Sequence, residues 1–195
     1  MPVEAAVPAS RDFVPTWDDV AAHVTSRTRG VLLVSPSNPT GAVTPAQEVQ
    51  RMIAECAARN IILFVDETYL RFVYDGEPAT ALAARNWRDT VVIIGSFSKQ
   101  FAITGWRCGY LIANAAVIAE AMKIQDIMVI CAPVPVQRAV AAVLDQEPDH
   151  ARRWLPELRQ RRDLLVSKLA AISGVTPIRP SGAFFVMARI DITGG

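Results

Sequence analysis

The stretch NIILFVDE, residues 60–67, decides the fold class of this chain. It is an apolar run rich in β-branched and aromatic side chains that ends abruptly in two carboxylates. Two similar runs occur on either side of it, GVLLVSP at residues 30–36 and TVVIIGS at residues 90–96. Short runs that are apolar on both faces are typical of strands in a parallel sheet covered by helices. The pattern therefore predicts three buried, parallel strands.

A helix is predicted between the first two strands, in TPAQEVQRMIAECAAR at residues 44–59. Thr44 can cap its first turn, Pro45 suits the first helical position, and Gln47 completes a capping box. One apolar face of this helix is formed by Val49, Met52, Ile53 and Cys56. A strand–helix–strand order gives a right-handed parallel crossover. We therefore predict an α/β fold, a mostly parallel sheet with helices on both faces, and ligands at the carboxyl ends of its strands.

The remaining chain predicts one more strand of this sheet and then mostly helices. CGYLIAN, residues 108–114, follows the third strand too closely for a crossover helix, so it is predicted to run antiparallel. Helices are predicted over residues 115–130 and 135–146, with a break at EPDH, residues 147–150. AFFVMARI, residues 183–190, is predicted to be a strand.

A long helix is predicted after the break, and its faces are assigned from the three- and four-residue spacing. The predicted apolar face contains Trp154, Leu158, Arg161, Leu165, Leu169 and Ile172. The other faces carry an arginine cluster formed by Arg152, Arg153, Arg159 and Arg162. We interpret this cluster as a solvated helix surface rather than a phosphate site.

Composition excludes several classes of function. With 51% hydrophobic and 20% charged residues in 195 positions, the chain is predicted to be globular and soluble. The net charge of +1 indicates neither a nucleic-acid nor a membrane partner. No apolar run is long enough to cross a membrane. The three cysteines show no CxxC spacing, which favours a reducing cytoplasm and predicts neither a disulfide framework nor a metal site.

Polar side chains follow each of the three predicted parallel strands. SPSNPTG, residues 35–41, places Asn38 after the first strand, and DETY, residues 66–69, follows the second. SFSK, residues 96–99, follows the third, with Arg107 close behind. Because the carboxyl ends of parallel strands meet at one edge of a sheet, we expect these groups to converge there.

These motifs resemble the class I/II aminotransferases, which are pyridoxal-phosphate enzymes of fold type I. The resemblance covers residues 13–190 and rests on four motifs in order: NPTG, DETY, SFSKQFAITGWRCG and PSGAFF. It implies the cofactor pyridoxal 5'-phosphate, with amino acid and 2-oxo acid substrates. It also implies a protein that is a homodimer in its full-length form.

The resemblance also implies a role for each matching residue. Lys99 corresponds to the Schiff-base lysine and Asp66 to the partner of the pyridine nitrogen. Tyr69 and Asn38 correspond to hydrogen-bond partners of the ring hydroxyl oxygen, and Tyr69 is counted with Lys99 and Asp66 as catalytic. The remaining cofactor-binding residues implied are Ser96, Ser98 and Arg107.

The residue types suit these roles chemically. A buried carboxylate such as Asp66 stabilises a protonated ring nitrogen. The guanidinium of Arg107 presents a planar fork to a phosphate dianion. Lys99, as a free amine, can move a proton as base and then as acid. Taken alone, each residue has a structural explanation: Asp66 as a helix cap, Tyr69 as a core residue and Arg107 as half of an ion pair.

Compared with complete members of the resembled family, this chain looks like a middle piece. We expect a partial large domain over residues 1–147, and an interdomain helix with the beginning of a small α+β domain over residues 148–195. Such a chain is expected to be weakly active or inactive by itself. Three functions remain open from the residues: an aminotransferase, a pyridoxal-phosphate lyase or cyclase of the same fold, and a non-catalytic fragment that binds the cofactor.

Overall fold

The computed structural model describes residues 1–191, and its larger sheet has four strands in the order β1-β2-β3-β4. These are β1 (Gly30–Val34), β2 (Ile62–Asp66), β3 (Val91–Ser96) and β4 (Gly109–Ile112). The first three strands are parallel, and β4 pairs antiparallel with β3. The predicted strands and their directions are therefore confirmed.

A second, smaller sheet pairs β5 (Val175–Ile178) antiparallel with β6 (Met187–Ile190). The strand predicted over residues 183–190 is thus shorter than expected, because its first residues bond elsewhere: the Ala183 N–H donates to the Phe72 carbonyl at 2.8 Å. The division into domains at residues 147 and 148 stays a prediction. The last four residues of the predicted second domain, 192–195, lie outside the described residues.

Helices account for most of the remaining described chain, and none of them is both long and apolar enough to cross a membrane. The α-helices are α1 (Trp17–Ala21), α2 (Ala46–Ala58), α3 (Trp87–Thr90), α4 (Phe97–Gln100), α5 (Ala115–Met128), α6 (Val134–Gln146) and α7 (Leu155–Ala170). Short 3-10 helices occur at Ala9–Arg11, Ala81–Ala83, Thr104–Trp106 and His150–Trp154.

The main hydrophobic core lies between α2 and the sheet. Its four predicted helix residues are all buried: Val49, Met52, Ile53 and Cys56. They belong to the same cluster as the buried sheet residues Leu33, Leu63, Val65, Val91 and Ile93. Burial of this apolar surface fixes β1, β2 and β3 side by side.

The start of α2 differs from the prediction, which had Thr44 as its cap. The helix begins at Ala46, with Pro45 in the cap position and no capping side chain. The Thr44 N–H instead donates to Ser35 Oγ at 2.9 Å, and its own hydroxyl is buried with no hydrogen-bond partner in the described chain. The hydrogen bond to the loop after β1 holds Thr44 away from the helix.

The buried face of α7 also differs from the prediction. Trp154, Leu165 and Ile172 were assigned to the apolar face, but they are 51%, 46% and 53% exposed. Arg162, assigned to solvent, is only 4% exposed. Leu158 and Leu169 lie on the more buried stripe as predicted, and its other members are Leu155, Arg162 and Val166.

The most deeply buried residue of α2 gives a test of this core. Met52→Ala should lower the free energy of unfolding by about 2–5 kcal/mol, because the substitution leaves a cavity beneath the sheet. Gln50→Ala, at an exposed position of the same helix, should change it by no more than about 0.5 kcal/mol. Urea unfolding followed by circular dichroism measures both, and equal effects would contradict the described packing.

Candidate active site

The register of the parallel strands brings their carboxyl ends to one edge of the sheet, where β3 extends two residues beyond β1 and β2. Val34 at the end of β1 pairs with Asp66, and Asp66 pairs with Ile94 of β3. Beyond these pairs the Ser35 N–H donates to the Asp66 carbonyl at 3.1 Å, and the Glu67 N–H donates to the Ile94 carbonyl at 2.8 Å. The three polar segments predicted from the sequence therefore leave the sheet along one edge.

Asp66 is the last residue of β2 and is partly buried. Its carboxylate accepts a hydrogen bond from the Thr68 N–H at 2.9 Å, which turns the chain sharply after the strand. The turn continues with backbone hydrogen bonds from Leu70 to Glu67 and from Phe72 to Tyr69. The Asp66 carboxylate is thus held at the edge of the sheet by its own turn.

Tyr69 lies in an aromatic cluster beside Asp66. It is 7% exposed, and its ring meets Phe184 and Phe185 edge-on, with centroids 5.4 and 5.1 Å away. Burial raises the pKa of the Tyr69 phenol, a side-chain hydrogen bond with Asn38 opposes this rise, and the Asp66 charge adds to it. The structure therefore brings Asn38, Asp66 and Tyr69 together, as predicted.

The loop that carries Asn38 is held in a compact turn. The Ser37 N–H donates to the Ala42 carbonyl and the Gly41 N–H donates to the Ser37 carbonyl, both at 2.8 Å. Gly41 has a φ of 69°, and a Cβ at this position would overlap Pro180. Glycine therefore permits both the turn and its contact with the later segment that contains Pro180.

Ser96, Ser98 and Lys99 lie where β3 passes into the short helix α4. Ser96 caps this helix, and its Oγ accepts a hydrogen bond from the Ser98 N–H at 3.2 Å. Ser98 is buried, whereas Lys99 is partly exposed in α4. Among the described residues, the ion pairs do not include the Lys99 ammonium.

Arg107 lies on the loop between α4 and β4, near Ser96. Ser96 pairs with Gly109 across the sheet, and the Phe97 N–H donates to the Cys108 carbonyl at 3.2 Å. The Arg107 side chain is exposed, and Nη1 donates to the Thr104 carbonyl at 2.8 Å. The backbone thus brings Arg107 close to Ser96, but its guanidinium bonds its own loop.

The two residues that flank Arg107 are also incompletely covered by the surrounding chain. Trp106, the last residue of the 3-10 helix Thr104–Trp106, is 47% exposed. Cys108 is partly buried.

Glu67 is a buried carboxylate next to Asp66 to which the sequence analysis gave no role. It accepts hydrogen bonds from Thr80 Oγ1 at 3.0 Å and from the Ala81 N–H at 2.8 Å. Burial raises the pKa of Glu67, and these two hydrogen bonds oppose the rise. Glu67 therefore fixes the 3-10 helix Ala81–Ala83 against the end of β2. Successive side chains along a strand point to opposite faces, and this alternation is the sequence signal that distinguishes Glu67 from Asp66.

No group of three or more metal-ligating side chains is close enough to hold a metal ion within residues 1–191. The donors at the sheet edge are instead an amine, a carboxylate, a phenol, an amide, two hydroxyls and a guanidinium. Such a set matches a small organic anion with a polar ring better than a metal ion.

Comparison with known proteins identifies a family and individual proteins that this chain resembles. The family model described as aminotransferase class I and II matches residues 2–193. The arginine–pyruvate transaminase of Pseudomonas aeruginosa is 32% identical over 192 residues, which cover 98% of this chain and 49% of that protein. The aromatic-amino-acid aminotransferase 2 of Thermococcus litoralis is 32% identical over 199 residues, covering 99% and 50%.

A solved structure agrees with the sequence comparisons. The aromatic aminotransferase from Pyrococcus horikoshii superposes with a TM-score of 0.89 at 30% identity, covering 97% of this chain and 51% of that one. The chain therefore spans about half the length of the relatives it matches.

The ionisation of Glu67 gives a pH-dependent prediction. Because its folded-state pKa is raised, the folded protein binds a proton more tightly than the unfolded chain does, and stability falls as the pH rises above the ordinary value of 4.5. Glu67→Gln cannot ionise but keeps an acceptor for Ala81. The variant should therefore gain stability relative to the parent as the pH rises.

Urea unfolding of the parent and the variant at a series of pH values measures this difference. Glu120→Gln, at an exposed position of α5, is the matched control and should show no comparable trend. A constant difference between Glu67→Gln and the parent at all pH values would contradict the assignment.

Proposed function

This chain belongs to the aminotransferase class I and II family, and from that premise we propose that the whole protein moves an amino group between an amino acid and a 2-oxo acid. The observation that supports this most directly is the convergence of Asn38, Asp66 and Tyr69 at the edge where Lys99 follows the next strand. The named relatives act on different amino acids, so the particular substrate is not part of the proposal.

Proteins of this family depend on pyridoxal 5'-phosphate, and the donors at the sheet edge fit it chemically. When bound, this cofactor supplies an aldehyde that joins to amines and a ring that accepts electrons from the adjacent carbon. Asp66 is free of ion pairs within the described chain and can hold a proton on a ring nitrogen. The residues that would hold the cofactor are Asn38, Asp66, Tyr69, Ser96, Ser98, Lys99 and Arg107.

Each residue has one task in the proposed reaction. Tyr69 and Asn38 lie close together, and their side chains would donate hydrogen bonds to the ring oxygen. Arg107, whose guanidinium now donates to the Thr104 carbonyl, would bind the phosphate, and Ser96 would add a hydroxyl donor. The Lys99 amine would hold the cofactor through its aldehyde carbon, with water as the leaving group, and as a free amine it can carry the proton of the substrate's α-carbon.

We further propose that the whole protein is a cytoplasmic homodimer. The three cysteines are unpaired, which suits a reducing compartment. The end of α5 and the residues after it expose a cluster of apolar side chains that suits a subunit interface. This cluster consists of Ile124, Ile127, Met128, Val129 and Ile130, each at least 61% exposed.

Covalent labelling of Lys99 tests the proposed cofactor site without requiring turnover. Borohydride reduction in the presence of pyridoxal phosphate should attach the pyridoxyl group to Lys99, and peptide mapping identifies the labelled residue. Lys99→Ala should abolish this label and leave the circular dichroism spectrum unchanged, because the side chain contributes little packing. Lys123→Ala, at an exposed position of α5, should label as the parent does. Specific label on another lysine would overturn the assignment.

A single-turnover reaction with a panel of amino acids tests the reaction class. An aminotransferase should release one 2-oxo acid per cofactor and no ammonia, whereas ammonia release would identify a lyase. Asp66→Asn should still bind pyridoxal phosphate but react about 10²–10³-fold more slowly, because a neutral amide does not stabilise a protonated ring. Asp126→Asn, at an exposed position, should react at the rate of the parent. A normal rate for Asp66→Asn would contradict its role.

A further inference from the structure

Residues 180–183, which we call the strap, cross the edge of the sheet and bond the loop that carries Asn38. The Ser181 and Gly182 N–H groups both donate to the Gly41 carbonyl, at 3.1 and 2.9 Å. Gly182 lies so close to Pro36 and Val43 that a Cβ would be 2.8 Å from either side chain. The position of the Asn38 loop is therefore tied to the position of the strap.

The other side of the strap bonds the segment that follows Tyr69. The Tyr74 N–H donates to the Ser181 carbonyl at 3.0 Å, and the Ala183 N–H donates to the Phe72 carbonyl at 2.8 Å. The Tyr74 hydroxyl donates to the Ala183 carbonyl at 2.7 Å. The strap thus joins the loop that carries Asn38 to the turn that carries Tyr69.

The side chain of Arg162 in α7 contacts both the strap and Tyr74, and it is almost completely buried. Its Nη1 donates to the Pro180 carbonyl at 3.1 Å, and its guanidinium carbon lies 4.4 Å from the centre of the Tyr74 ring. Its Nε donates to Asp163 at 2.8 Å, and Asp163 also pairs with Arg179 at 3.0 Å. The Arg162 side chain therefore contacts both the strap and the segment after Tyr69 that is hydrogen-bonded to the strap.

We propose that Arg162 is a positioning residue that sets the strap and, through it, the distance between Asn38 and Tyr69. A buried guanidinium is costly unless its donors are satisfied, so the Pro180 carbonyl, Asp163 and the Tyr74 ring must stay in place around it. The link to cofactor binding rests on the function proposed above, whereas the link to the strap does not.

Hydrogen exchange of the unloaded chain tests the link to the strap. In Arg162→Met, amides in residues 72–75 and 181–184 should exchange faster by about one to two orders of magnitude, because hydrogen bonds to a charged group are lost. Amides in β1, β2 and β3 should keep the exchange rates of the parent. Arg162→Lys keeps a positive charge near Tyr74 but lacks the planar, forked guanidinium. It should cause a smaller increase in the exchange rate of the same peptides.

Arg161→Met is the matched control, because Arg161 is the exposed neighbour that pairs with Glu157 on the same helix. It should leave exchange in all these peptides unchanged. Unchanged exchange at the strap in Arg162→Met, or an equal increase throughout the sheet, would overturn the positioning role.

A double-mutant cycle with Asn38→Ala tests the link to the site. If Arg162 acts through Asn38, Arg162→Met should weaken pyridoxal phosphate binding about threefold or more in the parent, but much less when Asn38 is already removed. Additive effects would overturn this link. If the parent itself fails to bind pyridoxal phosphate, the proposed function fails, and the exchange experiment still decides whether Arg162 holds the strap.

Discussion

The parallel register of β1, β2 and β3 is the constraint on which the candidate site depends. Pairing of Val34 with Asp66 and of Asp66 with Ile94 aligns the ends of β1 and β2, and β3 continues two residues further to Ser96. A shift of one residue would turn Asp66 to the opposite face and bring Glu67 into its place. The buried contacts between α2 and the sheet oppose such a shift, because they would be lost with it.

Buried charged groups connect the sheet edge to its surroundings. Glu67 accepts a hydrogen bond from the Ala81 N–H, and Arg162 donates to the Pro180 carbonyl of the strap and lies over the Tyr74 ring. Each group is buried together with hydrogen-bond partners from a distant part of the chain, which makes its burial tolerable. Removing only the partner would leave a poorly solvated charge, so these pairs specify the arrangement of the loops more strongly than apolar contacts of the same area.

Much of this arrangement could be predicted from the sequence. The apolar runs predicted β1, β2 and β3, and the polar motifs after them predicted that Asn38, Asp66 and Tyr69 would meet. The buried stripe of α7 was assigned only partly correctly, because Leu158 and Leu169 lie on it but Arg162 was assigned to solvent. Its position four residues after Leu158 and before Val166 was the available signal, but its partners Pro180 and Tyr74 come from other segments. Thr44 failed as a cap for the same reason, since Ser35 binds its N–H.

The strap also has a consequence for the order in which the protein acquires its shape. The hydrogen bond between Tyr74 and Ala183 joins residues 109 positions apart. Closing so long a loop costs chain entropy before any native contact offsets that cost. During synthesis every residue of the candidate site leaves the ribosome before residue 180 does. The nascent chain therefore contains the side chains of the site before the strap can fix their relative positions. Any reactivity that requires Asn38 and Tyr69 to act together is thereby reserved for chains translated past the strap.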